Sequence, residues 1–565
     1  MIKKISLILC FSVLQVFSQQ LDRTQLDSLY NLYTFLRGVN PSSKLEAEVE
    51  ANPSYRKCGF GMTGQIKDHL SSFSVEQQTV LAKLLSRPTL SDELVSPSGF
   101  FRIHYTTTGT NAIAYDVNLL AEALDSAYSF EVDYLDFLPP PADGSAGGDG
   151  KYDVYILNLG NLYGQTSSES NVGSTSWTSF LEIDNNFTGF YTTGINAARV
   201  TAAHEFHHAI QMGNYAPLNS NSFYRADDLF FYEITSTSME EFVFDSVNDY
   251  YGYMSDYFNN PEIPFKLSDG YSLAIWNIYL KDVFGFEIFK KQWELIPTVS
   301  ALSAINTSII EEGSTFGVEL NTFGIWTYYT KSRSISGKYF EEAANYPLLD
   351  PTSVANFSTA SETYDMTIGP VANYFFKINL TSTDETFYSI ISNSDVVSAN
   401  VNSNQGIGFA FSIYNDSNSG SKVINNYYSV YFDKDGEKNW NNTGILNDIV
   451  VYLDSSSGSP DISEETFTYP SPFKYSDASE VAIVFETNKT IKSDLNFYVF
   501  TPAMNLVYYN DVAIERSYTK NSKQYYEFSW DGLDNDKKQL ASGVYIFVLK
   551  NDSDIIKGKL VIFND

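Results

Sequence analysis

Three of the five histidines in this 565-residue sequence fall within five consecutive positions, His204-Glu205-Phe206-His207-His208. On an α-helix, residues i and i+4 stand one turn apart on the same face, so His204 and His208 can grip one metal ion with unstrained rotamers. Glu205 lies beside that pair. A carboxylate there can take a proton from water whose pKa the ion, expected to be zinc, lowers to about 7. Chance yields this spacing in roughly a few of every thousand chains so poor in His. The flanking residues Ala202, Ala203, Phe206, Ala209 and Ile210 make the helix a buried one, and buried polar groups need partners that a cation supplies. His207 falls on a different part of the helix surface and is expected to support the structure.

A third protein ligand must come from elsewhere. Residues 230–242 carry helical spacing at Phe231, Ile234, Ser238 and Phe242, which predicts a helix packed against the first. Glu233 is the expected ligand. Glu240, two turns further on the same face, is placed to hydrogen-bond a ligand imidazole. Glu240 or Glu241 as the direct ligand is the alternative.

Before the His helix, the pattern alternates between strand and helix. Residues 100–107, 152–159 and 177–184 read as strands and 111–134 as an amphipathic helix, which places a small sheet beneath the metal-binding helix. The last strand is expected at an exposed edge, where it could hold an extended peptide by strand addition. Residues 273–283, 286–295 and 320–329 read as further helices.

Residues 1–18 have the form of a secretory signal peptide: Lys3 and Lys4, an apolar run over 5–17, then Ser18. Residues 19–98 are expected to be a helical propeptide, with helices over 26–36 and 74–85 and a Pro- and Ser-rich linker over 86–98. Of the two cysteines, Cys10 leaves with the signal peptide and Cys58 remains, so no intramolecular disulfide is available. In Arg56-Lys57-Cys58-Gly59 the two basic residues should lower the thiol pKa. A thiolate is a good fourth zinc ligand, and Cys58 is read either as a zymogen ligand or as a buried structural thiol.

The net charge of −32 excludes nucleic acid and anionic membrane as partners, since both would be repelled. No segment past the leader is apolar for long enough to cross a membrane. Beyond residue 350, helical periodicity gives way to short alternating runs over 351–465 and 466–565, which read as two all-β sandwich (Ig-like) modules. Asp433 and Asp435 with Gly436 are candidate Ca2+ ligands, weighed against an ordinary polar turn.

Two resemblances bear on these residues. His204-Glu205-x-x-His208 followed by a helix carrying Glu233-x-x-Ser236 resembles the gluzincins, the superfamily of thermolysin, and the wider text around Thr201–Gln211 resembles a family of secreted bacterial metallopeptidases. The resemblance covers about residues 100–300. It implies an α+β zincin-like domain over 99–350, with His204, His208 and Glu233 holding Zn2+ and Glu205 as general base. No His follows His208, so the imidazole that stabilises the oxyanion in thermolysin has no counterpart, and Tyr271 is the candidate donor. The Cys58 segment is similar to the cysteine switch of matrix metalloproteinases. The order Tyr469-Pro470-Ser471-Pro472-Phe473, Trp530-Asp531-Gly532, Ser542-Gly543-Val544-Tyr545 and Lys557-Gly558-Lys559 resembles a type IX secretion sorting domain, implying that export machinery as a partner and a location outside the cell. The expected function is a secreted zinc endopeptidase acting on extracellular polypeptides. The alternative is a cell-surface binding or adhesion protein with a zincin-like scaffold.

Overall fold

The computed structural model describes residues 21–357 without interruption and, beyond them, chiefly the strands that run to Phe563. The expected leader and the candidate calcium residues Asp433, Asp435 and Gly436 lie outside the described residues. The chain is mixed α and β, with a β-rich C-terminal part, and divides into two compact units, Met1–Leu453 and Asp454–Asp565. Among the described residues no helix is long and apolar enough to cross a membrane.

The first unit opens with four helices: α1 (Arg23–Leu36), α2 (Ser43–Ala51), α3 (Phe60–Asp68) and α4 (Val75–Leu84). Asp22 and Ser74 start α1 and α4 in the same way. Each side chain accepts the backbone N–H of a Gln three residues on, and that Gln reaches back to the cap, so two otherwise orphaned donors are satisfied at each end.

A five-stranded sheet follows, ordered β1-β2-β3-β5-β4: β1 (Asp92–Val95), β2 (Phe101–Tyr105), β3 (Tyr152–Leu157), β4 (Gly164–Gly173) and β5 (Ser176–Asp184). The β2-β3 and β3-β5 pairs are parallel, and the outer strands β1 and β4 run antiparallel to their neighbours. Three expectations are corrected here. The stretch expected as a free linker contains β1, a short strand between Pro88 and Pro97. The strand before the His helix, β5, is not the edge, because β4 lies outside it. The helix expected over 111–134 begins only at Val117, because the Ile113 N–H is spent on the Thr106 carbonyl. Asp116 caps this helix, α5 (Val117–Tyr128), and the following residues Ser129–Tyr134 widen into a π turn.

Helix α6 (Gly194–Asn214) lies on the sheet with Ala197, Ala198, Ala202, Ala203 and Ala209 buried. Their small side chains bring the backbone close, and every residue from Val200 to Gly213 is buried. Helix α7 (Leu229–Val243) packs beside it, buried from Phe230 to Glu241. Two helices buried on all sides must find a partner for each polar side chain, and this requirement organises the centre described below. The helices Ala274–Phe284, Glu287–Leu295, Ala301–Glu311 and Phe316–Tyr328 complete the apolar core around Trp276, Trp293 and Phe323. After them come a four-stranded, a three-stranded and a two-stranded sheet, built from strands between Ser353 and Asp454.

The second unit holds a four-stranded and a five-stranded sheet over a core of its own. Leu495–Phe500 alternates buried and half-buried residues, as a strand with one face on a core must. Phe485 stacks on Phe528 at 4.8 Å between ring centres. Gly532 and Tyr545, two residues of the sorting-domain resemblance, take part in hydrogen bonds here. The Tyr475 hydroxyl donates to the Gly532 carbonyl and accepts the Leu540 N–H, and the Tyr545 hydroxyl donates to the Ala541 carbonyl.

Candidate metal centre

His204 and His208 occupy successive turns of α6, and α7 lays Glu233 across them. The His204 Nε2 and His208 Nε2 atoms lie 3.2 Å apart, and Glu233 Oε2 is 3.2 Å from the first and 3.3 Å from the second. Cys58, on the short connection into α3, brings its sulfur to the same point, so that one donor atom from each of Cys58, His204, His208 and Glu233 lies within 4.8 Å of all the others. All four residues are buried.

The imidazoles are oriented from behind. His204 Nδ1 is 2.7 Å from Glu240 Oε1, and His208 Nδ1 is 2.7 Å from Gln211 Oε1. Gln211 is itself fixed by donating to the Tyr232 carbonyl and to the hydroxyls of Thr235 and Ser236. With each Nδ1 facing an oxygen, both Nε2 atoms face the Glu233 carboxylate. One sulfur, two imidazoles and one carboxylate converging in a dry interior could hold a metal ion, and such a donor set is of the kind that zinc takes. The same contacts also make an ion pair of His204 and Glu233, whose proton a bound cation would displace. Burial opposes charge on both groups, yet Glu233 and Glu240 push His204 up to about 9, and the two imidazoles hold Glu233 down at about 2.

Glu205 is fully buried against β4. Its Oε2 accepts from the Thr166 hydroxyl at 2.7 Å, and the carboxylate also meets the Cys58 thiol. Gly164 makes this packing possible, since a Cβ there would stand 2.7 Å from Thr201 and 2.9 Å from the Glu205 side chain. The ring of Tyr271 lies 6.1 Å from that of His204. Gly270, at φ +94°, lets that loop touch α7: a Cβ there would meet the Phe230 carbonyl at 2.3 Å and Glu233 at 2.8 Å. Burial first, then the Glu233 charge, raises the Tyr271 phenol well above its usual pKa, so it keeps its proton and can donate.

The thiol differs from expectation. Arg56 and Lys57 do not activate it, because both side chains are engaged elsewhere. Arg56 donates to the Gly189 carbonyl at 2.8 Å and lies over Phe190, while Lys57 forms buried ion pairs with Glu240, at 2.7 Å, and with Asp249. Burial, then the Glu205 and Glu233 carboxylates, push the Cys58 thiol well up rather than down.

The structure thus brings Cys58, His204, Glu205, His208, Glu233, Glu240 and Tyr271 into one neighbourhood and leaves His207 and Glu241 outside it. Sequence reasoning missed Gln211, Thr166 and the Lys57–Asp249 pair. Only Gln211 carried a signal, its position one turn past His208 on the same face.

Compared with profiles of known protein families and with curated proteins, the sequence matches none. Among solved structures it is similar over 20% of its length to PorZ, described as an essential surface component of the type-IX secretion system of Porphyromonas gingivalis. That match has 15% identity, 14% of the other chain covered and a TM-score of 0.13. It is also similar over 38% of its length to domains 4–9 of the surface layer protein SbsC, with 9% identity, 30% of that chain covered and a TM-score of 0.10. At these scores neither likeness bears on fold or activity.

Proposed function

We propose that this chain is an exported zinc endopeptidase, held inactive by its own N-terminal segment. The observation that carries the reading is the fully buried Glu205 carboxylate, held by Thr166 and facing the Cys58 thiol, beside three converging ligands. A purely structural metal site has no use for such a base. In this reading His204, His208 and Glu233 hold the ion, which when bound supplies Lewis acidity toward a carbonyl and toward water. Glu205, with one oxygen tied to Thr166, uses the other to take a proton from the attacking water. It then delivers that proton to the amine as the peptide C–N bond breaks. Tyr271 donates its phenolic hydrogen to the carbonyl oxygen as negative charge gathers there. Cys58 is the fourth ligand of the latent form. The leader-like residues 1–18 and the C-terminal motifs support export by a type IX route to the cell exterior.

Closure of the centre by four protein donors favours a second reading. Structural zinc sites are closed in this way, and a surface binding or adhesion protein on a zincin-like scaffold would keep one. Digestion of a protein substrate by the zinc-loaded, proteolytically processed protein separates the two. Glu205→Gln is expected to lower the rate about 10²- to 10⁴-fold with zinc content unchanged, and equal rates would reject the peptidase. Cys58→Ser is expected to be active without processing, and undiminished latency would remove the thiol from the mechanism.

A further inference from the structure

We infer that Gln211 is a positioning residue for the metal, one whose amide can point only one way and so commits His208 to a single hydrogen position while strapping it to the turn that bears Glu233. The inference rests on the zinc reading of the centre and not on the cleavage of peptides.

The constraint starts at a backbone carbonyl. Gln211 is fully buried, with its side-chain nitrogen 3.1 Å from the Tyr232 carbonyl oxygen and 2.9 Å from the Thr235 hydroxyl. A carbonyl has no hydrogen to give, so only the NH2 end of the amide can face it. The hydroxyl adds a second lock. Thr235 lies 3.0 Å from the Phe231 carbonyl and 3.1 Å from the Tyr232 carbonyl, which take its one hydrogen and leave it able only to accept from Gln211. Turning the amide over would set oxygen against oxygen in a buried place, where unmet acceptors are costly.

The oxygen end therefore faces His208 Nδ1, at 2.7 Å. It can only accept, so Nδ1 carries a hydrogen and Nε2 is the nitrogen left for an ion. The Ser236 hydroxyl, 3.2 Å from the same Nδ1, can accept alongside it. Rotating the ring by half a turn offers no escape, because carbon would then stand against Gln211 Oε1 and at the place where Nε2 meets Glu233 at 3.3 Å. The same amide also joins the two helices. Gln211 belongs to α6, while Tyr232, Thr235 and Ser236, which fix it, belong to α7, and Tyr232 immediately precedes Glu233. His204 is braced differently: its partner Glu240 gives its other oxygen to Lys57, outside the helix pair.

Zinc affinity of the full chain, measured by chelator competition, tests this. Gln211→Met keeps the side-chain length and removes both polar ends, and is expected to weaken binding about 10- to 100-fold, as loss of an outer partner of a ligand His does. In a His208→Ala background, where no second imidazole remains to be positioned, the same change is expected to alter the weaker affinity by less than about twofold. An equal loss in both backgrounds, which a general disturbance of the helix pair would give, overturns the inference, and so does no loss in either. A second readout needs no change at position 211. With 15N in its five histidines, the zinc-loaded wild type is expected to show the His208 ring, identified by its absence from the spectrum of His208→Ala, with its hydrogen on Nδ1. A hydrogen on Nε2 overturns the assignment. A wild type that takes up no zinc rejects the centre and the inference together, whereas zinc held through Gln211 in a chain that cuts no peptide upholds the inference and rejects the peptidase.

Discussion

Two pairs of identical neighbours, His207 with His208 and Glu240 with Glu241, point to opposite sides of the same helix pair. His208 Nε2 joins two other acceptors within 3.3 Å. His207, equally buried, meets one carboxyl, Glu131 at 2.8 Å from Nδ1, and its Nε2 has no partner. Burial holds His207 well below its ordinary pKa and Glu131 well above, so this pair sits in the core uncharged. The glutamates divide in the same way. Glu240 lies between Lys57 and His204, 2.7 Å from each. Glu241 is pushed up to about 9 by burial, then by Glu342 and Asp245. Burial is shared by all four residues, and convergence belongs to only two. A buried imidazole is a ligand candidate when several acceptors meet at its free nitrogen, and an ordinary core group when one neutral partner suffices.

The comparison can be broken most directly by metal analysis. His208→Leu is expected to lose its equivalent of zinc on purification, and His207→Leu to keep it. Loss in both, or retention in both, would erase the distinction. One step smaller, Glu240→Gln should weaken zinc affinity about 10- to 100-fold, as loss of a carboxylate behind a ligand His does, while Glu241→Gln leaves it within about twofold. Chelator competition measures both. Next, His207→Leu orphans the Glu131 carboxyl and should cost about 1–3 kcal/mol in urea unfolding, with most of that recovered by adding Glu131→Leu. The smallest effect depends on pH. Folded Glu241 keeps its proton up to about 9, against an ordinary value of 4.5. Between those values the unfolded chain has already lost the proton, so folding weakens as pH rises. Glu241→Gln removes that loss and should stabilise the protein by more than about 1 kcal/mol at pH 8, with no gain at pH 4. A constant difference across that range would mean that Glu241 titrates as an ordinary surface acid.

The legible parts of the site were those written in local spacing. The interval of four between His204 and His208, and the helical pattern that carries Glu233 and Glu240, are periodicities that any short window reveals. The strands Asn373–Leu380, Thr386–Ile391, Gly408–Asp416 and Gly444–Asp454 were equally open to reading, because apolar and polar residues tend to alternate along them. What stayed hidden depends on distant partners. Strand β4, Gly-Gln-Thr-Ser-Ser-Glu-Ser-Asn-Val-Gly, has no apolar alternation. Its Gln165 and Thr166 are buried because Glu182 and Glu205 accept from them. Lys57 reads as a solvated charge in sequence and becomes a core residue only when Glu240 and Asp249 close around it. Its position also misled the reading of Cys58, because adjacency in the chain placed the ammonium beside the thiol and the fold turned it away.

The Lys57 contact reaches further than the segment that carries it. Glu240 neutralises an ammonium with one oxygen and braces the His204 imidazole with the other, so a single carboxylate divides its charge between the Lys57 segment and the centre. If the N-terminal segment leaves, as the latent-enzyme proposal requires, that charge returns undivided to the ring, a more basic donor as the sulfur departs. Uncovering the site and strengthening its hold on the ion would then be the same event.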